Sequence, residues 1–347
     1  MRVLVALSGG VDSSVAAARL VEQGHDVTGV TLRLWGGASD TGCCSVADVE
    51  DARRVAQQLG IAHHVFNLSD EFEAHVVGPY VADHQAGRTP NPCIECNRHL
   101  KFDALLRRAE ALGFDRVATG HHARVVVAAD GRRRVGRGAD RAKDQSYVLH
   151  VLDQDALGRV LFPVGELGKA GVRADAARLG LRTAAKPDSQ DVCFITSAGG
   201  RRAFLGERIP LRPAEVRDAR GTVVGRTEAV ELVTIGQRKG LGLAGGTSPR
   251  YVVDVSVPDV GDGATPVVTV GARHDLLVDT VALDGLAWSA GPVAGPVQAQ
   301  CSAHGAPATA RVEGATVRWD RPQRRVARGQ SVVLYVDDLV VGGGFAA

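Results

Sequence analysis

The chain reads as an α/β protein. A parallel-sheet domain spans residues 1–200, a small β-rich central domain 201–274, and a C-terminal β-barrel 275–347. Three observations predict this. Short apolar runs alternate with helical patterns through the first domain, as parallel strands joined by crossover helices require. Gly- and His-rich segments follow those runs directly, where an open parallel sheet binds its ligand. Past residue 200, short strands with Gly and Pro turns replace the helices.

The elements follow in order. Val3–Leu7 is a short buried strand, and Ser8-Gly9-Gly10 is a tight turn. Val15, Ala16, Ala17 and Leu20 start a helix. Asp26–Leu34 reads as a second strand, and Trp35–Gly42 leaves the sheet. Val46, Val49, Val55 and Leu59 have helical spacing, with Gly60 as the stop. His63–Leu68 is a third strand. Helices then flank a Pro-bounded loop, Gly87–Asn97. Arg116–Thr119 is a fourth strand, ending in Gly120-His121-His122. Arg132–Arg137 is a basic hairpin-like turn, and Gly168–Gly180 is one more helix. Beyond residue 200, Val216–Val224 reads as a hairpin, Thr234–Leu243 as a Gly-rich basic segment, and Tyr251–Val257 and Val267–Val270 as strands.

With 45% hydrophobic and 23% charged residues, the 347-residue chain has an ordinary globular balance. No apolar run reaches the length of a membrane span, and Met1 leads straight into the first strand. A cytoplasmic protein is expected. A net charge of +2 neither announces nor excludes a nucleic-acid partner. Most basic residues are arginine, so each retained lysine suggests a site needing a compact ammonium, and Lys143 and Lys186 draw the eye.

The first strand, turn and helix form an anion site in outline. The helix N-terminus aims unpaired N–H groups at the loop, and glycines let a phosphate come close. Asp12 can place a metal or hold the loop. The loop has no lysine and is neither G-x-x-x-x-G-K-S nor G-x-G-x-x-G. The string Ser8-Gly9-Gly10-Val11-Asp12-Ser13 resembles the PP-loop of N-type ATP pyrophosphatases. Those enzymes cleave ATP between the α and β phosphates and adenylate a substrate oxygen.

Cys93-x-x-Cys96 has three readings: half a zinc site, a redox or sulfur-transfer pair, or two small apolar residues. A closed zinc site wants a second pair, and adjacent Cys43-Cys44 is poorly spaced for one. Cys193, in a polar segment with Asp188 and Asp191, favours thiol chemistry. Cys93, Cys96 and Cys193 together would suit three corners of a 4Fe-4S cluster. Cys43, Cys44 and Cys301 read as small buried hydrophobes. His63 and His64 read as structural.

Taken together, the segments Ala6–Ser13, Thr89–Asn97, Ala118–Arg124, Lys143–Tyr147, Asp188–Ile195 and Thr234–Gly242 resemble, in order, the tRNA-specific 2-thiouridylases. The resemblance implies an enzyme that exchanges the 2-oxygen of the wobble uridine of tRNAs for Glu, Gln and Lys for sulfur. ATP, with Mg2+, adenylates the oxygen, and a cysteine persulfide from a desulfurase or sulfur-relay protein supplies the sulfur. It implies that Ala6, Leu7, Ser8, Gly9, Gly10, Val11, Asp12 and Ser13, with Leu32 and Gly120, bind ATP. Cys193 accepts sulfur, and Cys96 attacks the persulfide or pairs with Cys193 in a disulfide. Asn91, Pro92 and Cys93 line the flipped base. Lys143, Asp144, Gln145, His121 and Gln330 contact tRNA.

The chain departs from the family pattern twice. Cys93 stands where some members have an aspartate acid/base. The barrel's Arg-Tyr tRNA motif is replaced by Gln298-Ala299-Gln300-Cys301-Ser302-Ala303-His304. Two other functions compete: an argininosuccinate-synthetase-like ligase, which needs no cysteine pair, and a non-catalytic, nucleotide-responsive RNA-binding protein, which would bind ATP without releasing pyrophosphate.

Overall fold

A computed structural model describes residues 1–35, 45–188, 192–244, 248–259 and 263–347. Cys43, Cys44, Asp191 and the 36–42 segment lie outside the described residues.

The first domain supplies β1 (Arg2–Ala6), β2 (Asp26–Arg33), β3 (Ala62–Asn67), β4 (Arg116–Ala118), β5 (Ala123–Val127), β6 (Arg133–Arg137) and β7 (Val160–Leu161). Five of them form a parallel sheet in the order β3-β2-β1-β4-β7. Val3, Leu4 and Val5 of β1 are fully buried, as a strand covered on both faces demands. The two-residue β7 is too short to leave a periodic signal in sequence. The chain runs outward from β1 through β2 to β3, then returns to β4 on the other side of β1. The crevice beyond the carboxyl ends of β1 and β4 is therefore the topological switch point.

The helix Val46–Gln58 starts at Ser45, whose hydroxyl accepts from the Asp48 N–H at 3.0 Å, and gives way to Gly60 at φ 67°. The helix Lys169–Arg178 lays Val172 and Ala176 against Val11, Val15 and Ala18 of the first helix, Val11–Glu22.

One expectation is corrected here. Residues 87–97 are not a loop throughout. The Asn91 side chain accepts from the Cys93 N–H at 3.1 Å, and Pro92 takes a first-turn position. The chain is α-helical over Pro92–Glu95 and continues as a wider π-type turn over Cys96–Ala104. Asn-Pro acts here as cap and first helical residue, not as a turn. The two cysteines thus sit one turn apart on a helix.

The central domain pairs β8 (Ala214–Arg217), β9 (Val223–Thr227), β10 (Tyr251–Ser256) and β11 (Val267–Gly271) in the order β10-β11-β8-β9. The barrel comprises β12 (Leu277–Trp288), β13 (Pro296–Gln300), β14 (Ala308–Glu313), β15 (Thr316–Arg324), β16 (Ser331–Val336) and β17 (Leu339–Ala346). Its order is β12-β15-β14-β13-β16-β17, closed by pairing of β12 with β17. The hairpin β5–β6 does not join the parallel sheet. It extends the barrel sheet instead, through Gly136 opposite Leu339. No helix among the described residues is long and apolar enough to cross a membrane.

Candidate active site

The loop after β1 folds onto itself through its hydroxyls. Ser13 Oγ donates to the Gly10 carbonyl at 3.1 Å and accepts from the Ser8 N–H at 3.2 Å, and Ser14 Oγ donates to Gly10 at 2.8 Å. Gly9 has φ 73°, and a Cβ there would strike the Asp48 carbonyl. Gly10 caps the first helix in an extended conformation, with no side chain bonded to the helix start. The free N–H groups of that first turn therefore remain available to an anion. This is a cradle built of backbone, and it fits a nucleotide's phosphates.

Gly120, just past β4, closes the cradle from behind. A Cβ on it would lie 2.5 Å from Ser13 N and 2.6 Å from Asp12 C. Leu32 is buried at the carboxyl end of β2.

Asp12 is engaged rather than open to a metal. Its carboxylate accepts from His122 Nε2 at 3.0 Å and from Lys169 Nζ at 2.8 and 2.7 Å. Burial works to raise its pKa, but the bonds from His122 and Lys169 outweigh it and hold the group below its ordinary range. Lys169 also meets Asp188 at 2.8 Å. Asp188 is further held by Lys143 at 2.7 Å and Arg173 at 3.0 Å. Burial again opposes, yet Lys143 and Lys169 draw Asp188 down to about 2. On the loop's other flank, Lys186 donates to the Gly9 carbonyl at 3.0 Å, to Asp48 at 2.5 Å and to Asp51 at 2.7 Å. Sequence reasoning singled out Lys143 and Lys186 but missed Lys169, Arg173 and Asp48. The scarcity of lysine was a signal that covered Lys169 equally.

Cys96 is buried, and Cys193 is half-buried against the same apolar cluster. Phe194 anchors the second segment there, its ring 5.6 Å from Phe72 and 5.4 Å from Tyr80. Cys93 is exposed at its edge, and the protein packed round its thiol raises its pKa, with Lys101 opposing. Among the described residues, no three His, Cys, Asp or Glu side chains are placed to hold one metal ion. The three cysteines thus do not fit a cluster's ligand set. Cys301 is a thiol pushed up to about 12 by burial, packed on the barrel core.

The expected tRNA contacts divide. Lys143 is half-exposed and Gln145 exposed; the latter's Oε1 accepts from the His122 N–H at 2.9 Å. Asp144 faces inward instead. It accepts from Arg137 at 2.9 Å, the Gly138 N–H at 2.9 Å and Ser146 Oγ at 2.8 Å. His121 is buried between Phe102 and Phe162, bonded to Thr119 Oγ1 at 2.7 Å. Burial first, then Lys101 and His122, hold it well below its usual pKa. Both residues are structural because the polypeptide already satisfies them. Gln330 donates to the Thr89 carbonyl, tying the barrel to the stretch before Asn91 and the buried Pro92. Gln300 accepts from Arg137 at 2.8 Å and donates to the Ser302 carbonyl at 2.9 Å, so it too is turned inward.

Comparison with known proteins bears on this site. A model described as the tRNA methyl transferase HUP domain matches residues 1–197. The tRNA methyl transferase PRC-barrel domain matches 202–259, and an aminomethyltransferase β-barrel domain 284–346. A tRNA-specific 2-thiouridylase MnmA of Corynebacterium aurimucosum is 46% identical, the match covering 99% of this chain and 98% of the relative. The like-named protein of Rhodococcus jostii is 47% identical over 99% and 97%. That of Mycolicibacterium gilvum is 48% identical over 97% and 96%.

Proposed function

The chain belongs to the tRNA-specific 2-thiouridylase family, and from that premise we propose that it exchanges the wobble uridine 2-oxygen of tRNAs for Glu, Gln and Lys for sulfur at the expense of ATP. The observation that carries the reading is the uncapped helix start behind Gly9 and Gly10, flanked by Lys169 and Lys186. Such a site favours polyphosphate. It repels a cationic sulfonium methyl donor, so the residues support thiolation over the methyl transfer that the domain descriptions mention.

ATP lies with its phosphates on the cradle, with Mg2+ carried on the phosphates. The uracil 2-oxygen attacks the α-phosphorus, the α–β bridge breaks, and pyrophosphate leaves with the charge the loop stabilises. The carbon now bears an adenylate, a far better leaving group than an amide-like oxygen. Cys193 carries a persulfide received from a desulfurase or relay protein. Its outer sulfur forms the new bond to C2, and AMP departs. Cys96 attacks the inner sulfur of Cys193, releasing the outer sulfur to the base. The resulting Cys96–Cys193 disulfide regains two electrons from an external thiol reductant. The burial of both sulfurs in one apolar cluster supports this pairing. Asn91 and Cys93, on the helix that carries Cys96, line the base. A protein that runs this route has no need of an iron–sulfur cluster.

The test is pyrophosphate release from ATP and Mg2+ without oxygen, comparing an unmodified tRNA-Lys transcript with one carrying cytidine at the wobble position. Release that requires the uridine supports adenylation of that base. A folded, ATP-binding protein that releases none with either transcript overturns the reading.

A further inference from the structure

The chemistry above needs the phosphate site and the sulfur-carrying segment to act in sequence, yet nothing in the reaction scheme links them. Lys169 does. Its ammonium is shared between Asp12, on the first turn behind the phosphate loop, and Asp188, at the root of the segment that leads to Cys193. We propose that Lys169 is a positioning residue whose shared ion pair makes the setting of the Cys193 segment depend on occupation of the phosphate loop.

The surroundings support such a coupling. Lys169 is placed rigidly: its backbone N–H donates to Asp140 at 2.9 Å, and its helix is packed on the first helix through Val172 and Ala176. Its side chain is mostly buried, so its charge is poorly screened. Asp188 is held by three cations, Lys143, Lys169 and Arg173, of which only Lys169 also touches the loop. The described titratable groups facing this cluster are Asp12, Asp140 and His122, so cations outnumber the carboxylates they bind. A triphosphate arriving at the helix start brings several negative charges beside Asp12. It competes with Asp188 for Lys169 and weakens the clamp on the Cys193 segment. Loading the loop then loosens the segment that must reach the adenylated base. The inference rests on reading Cys193 as the sulfur carrier.

The experiment uses the full-length protein without tRNA. The rate at which N-ethylmaleimide alkylates Cys193 is followed by peptide mass mapping, with and without Mg2+ and α,β-methylene ATP. Nucleotide is expected to speed alkylation of the wild type by about fivefold, the scale of one partly screened ion pair. Asp188→Asn, which leaves the Asp12–Lys169 pair intact, is expected to react without nucleotide as fast as the loaded wild type. Lys143→Met, which removes a clamp that does not touch the loop, is expected to raise the basal rate while keeping a nucleotide response. A wild-type rate indifferent to nucleotide, or an Asp188→Asn basal rate equal to the empty wild type, overturns the coupling. The assay needs no tRNA and no turnover, so its failure is distinguishable from a failure of the pyrophosphate test.

Discussion

Gly120→Ala tests the cradle most directly, because it changes one methyl group and no charge. The added carbon would sit 2.5 Å from Ser13 N and 2.6 Å from Asp12 C. Both are backbone atoms of the first helical turn, so no side chain can swing away to make room. The chain must move either the β4 end or the helix start. Forced overpacking of this kind costs about 1–3 kcal/mol. Any movement of the helix start also misaims the N–H groups that hold phosphate, and each charge-assisted hydrogen bond lost there is worth about 1.5–3 kcal/mol. Affinity for ATP should therefore fall by about tenfold or more. Gly171→Ala is the matched control: it lies on the exposed face of the helix Lys169–Arg178, where a Cβ meets nothing within 4 Å. That change should stabilise the protein by up to about 1 kcal/mol and leave ATP binding alone. Calorimetric titration with ATP and urea unfolding of both variants decide the matter. Wild-type affinity and unchanged stability in Gly120→Ala would refute the backbone-on-backbone account of the cradle.

Cys193→Ala and Cys96→Ser should keep tRNA-dependent pyrophosphate release while thiolation, read by nucleoside mass spectrometry, falls to background; full thiolation by either variant would exclude the two-cysteine relay. Arg137→Met should cost about 3–5 kcal/mol in urea unfolding, since it strands Asp144 as a buried charge after losing contacts at 2.9 Å to Asp144 and 2.8 Å to Gln300; a cost below 1 kcal/mol would mean that water replaces the guanidinium. Asp188 supplies a pH signature. Its folded pKa of about 2 lies below the ordinary 3.8, so its contribution is full above 3.8 and is lost as pH falls toward 2. The difference in urea midpoint between wild type and Asp188→Asn should thus be constant from pH 7 to 5 and shrink by pH 3, and a difference that grows on acidification would contradict the assigned ion pairs.

How much of this was legible in the sequence depends on whether a signal is local. β1, its glycine turn and the first helix were readable because a continuous apolar run, two glycines and a helical spacing are all short-range features. The loop's phosphate character followed from the same dozen residues. Asp144 and His121 show the limit. A polar residue next to a motif looks like a ligand contact until its partners are known, and the partners of Asp144 include Arg137, while His121 sits between Phe102 and Phe162. Lys169 lies 157 residues from Asp12 in sequence, and no periodicity announces such a pair. The helix under Cys93 and Cys96 was a local signal misread, since Asn-Pro serves both turns and helix starts.

The barrel bears on the site even where it presents no Arg-Tyr motif. It grips the first domain at two places that matter. At one, the Thr89 N–H donates to Arg328 at 2.7 Å and Gln330 returns a bond to Thr89, just before the helix that carries Cys93 and Cys96. At the other, Tyr147 Oη donates to Ser331 at 2.8 Å, Ser146 meets Tyr335 at 3.1 Å, and Arg137 stacks over the Tyr335 ring at 3.8 Å. That second joint fixes the segment that ends in Lys143, whose ammonium holds Asp188. One rigid closed sheet therefore sets the position of both thiol-bearing segments, one through Thr89 and the other through Lys143. Loosening the barrel joint should accordingly impair sulfur transfer more than adenylation, because the phosphate cradle is built from β1, β4 and the first helix and draws none of its bonds from the barrel.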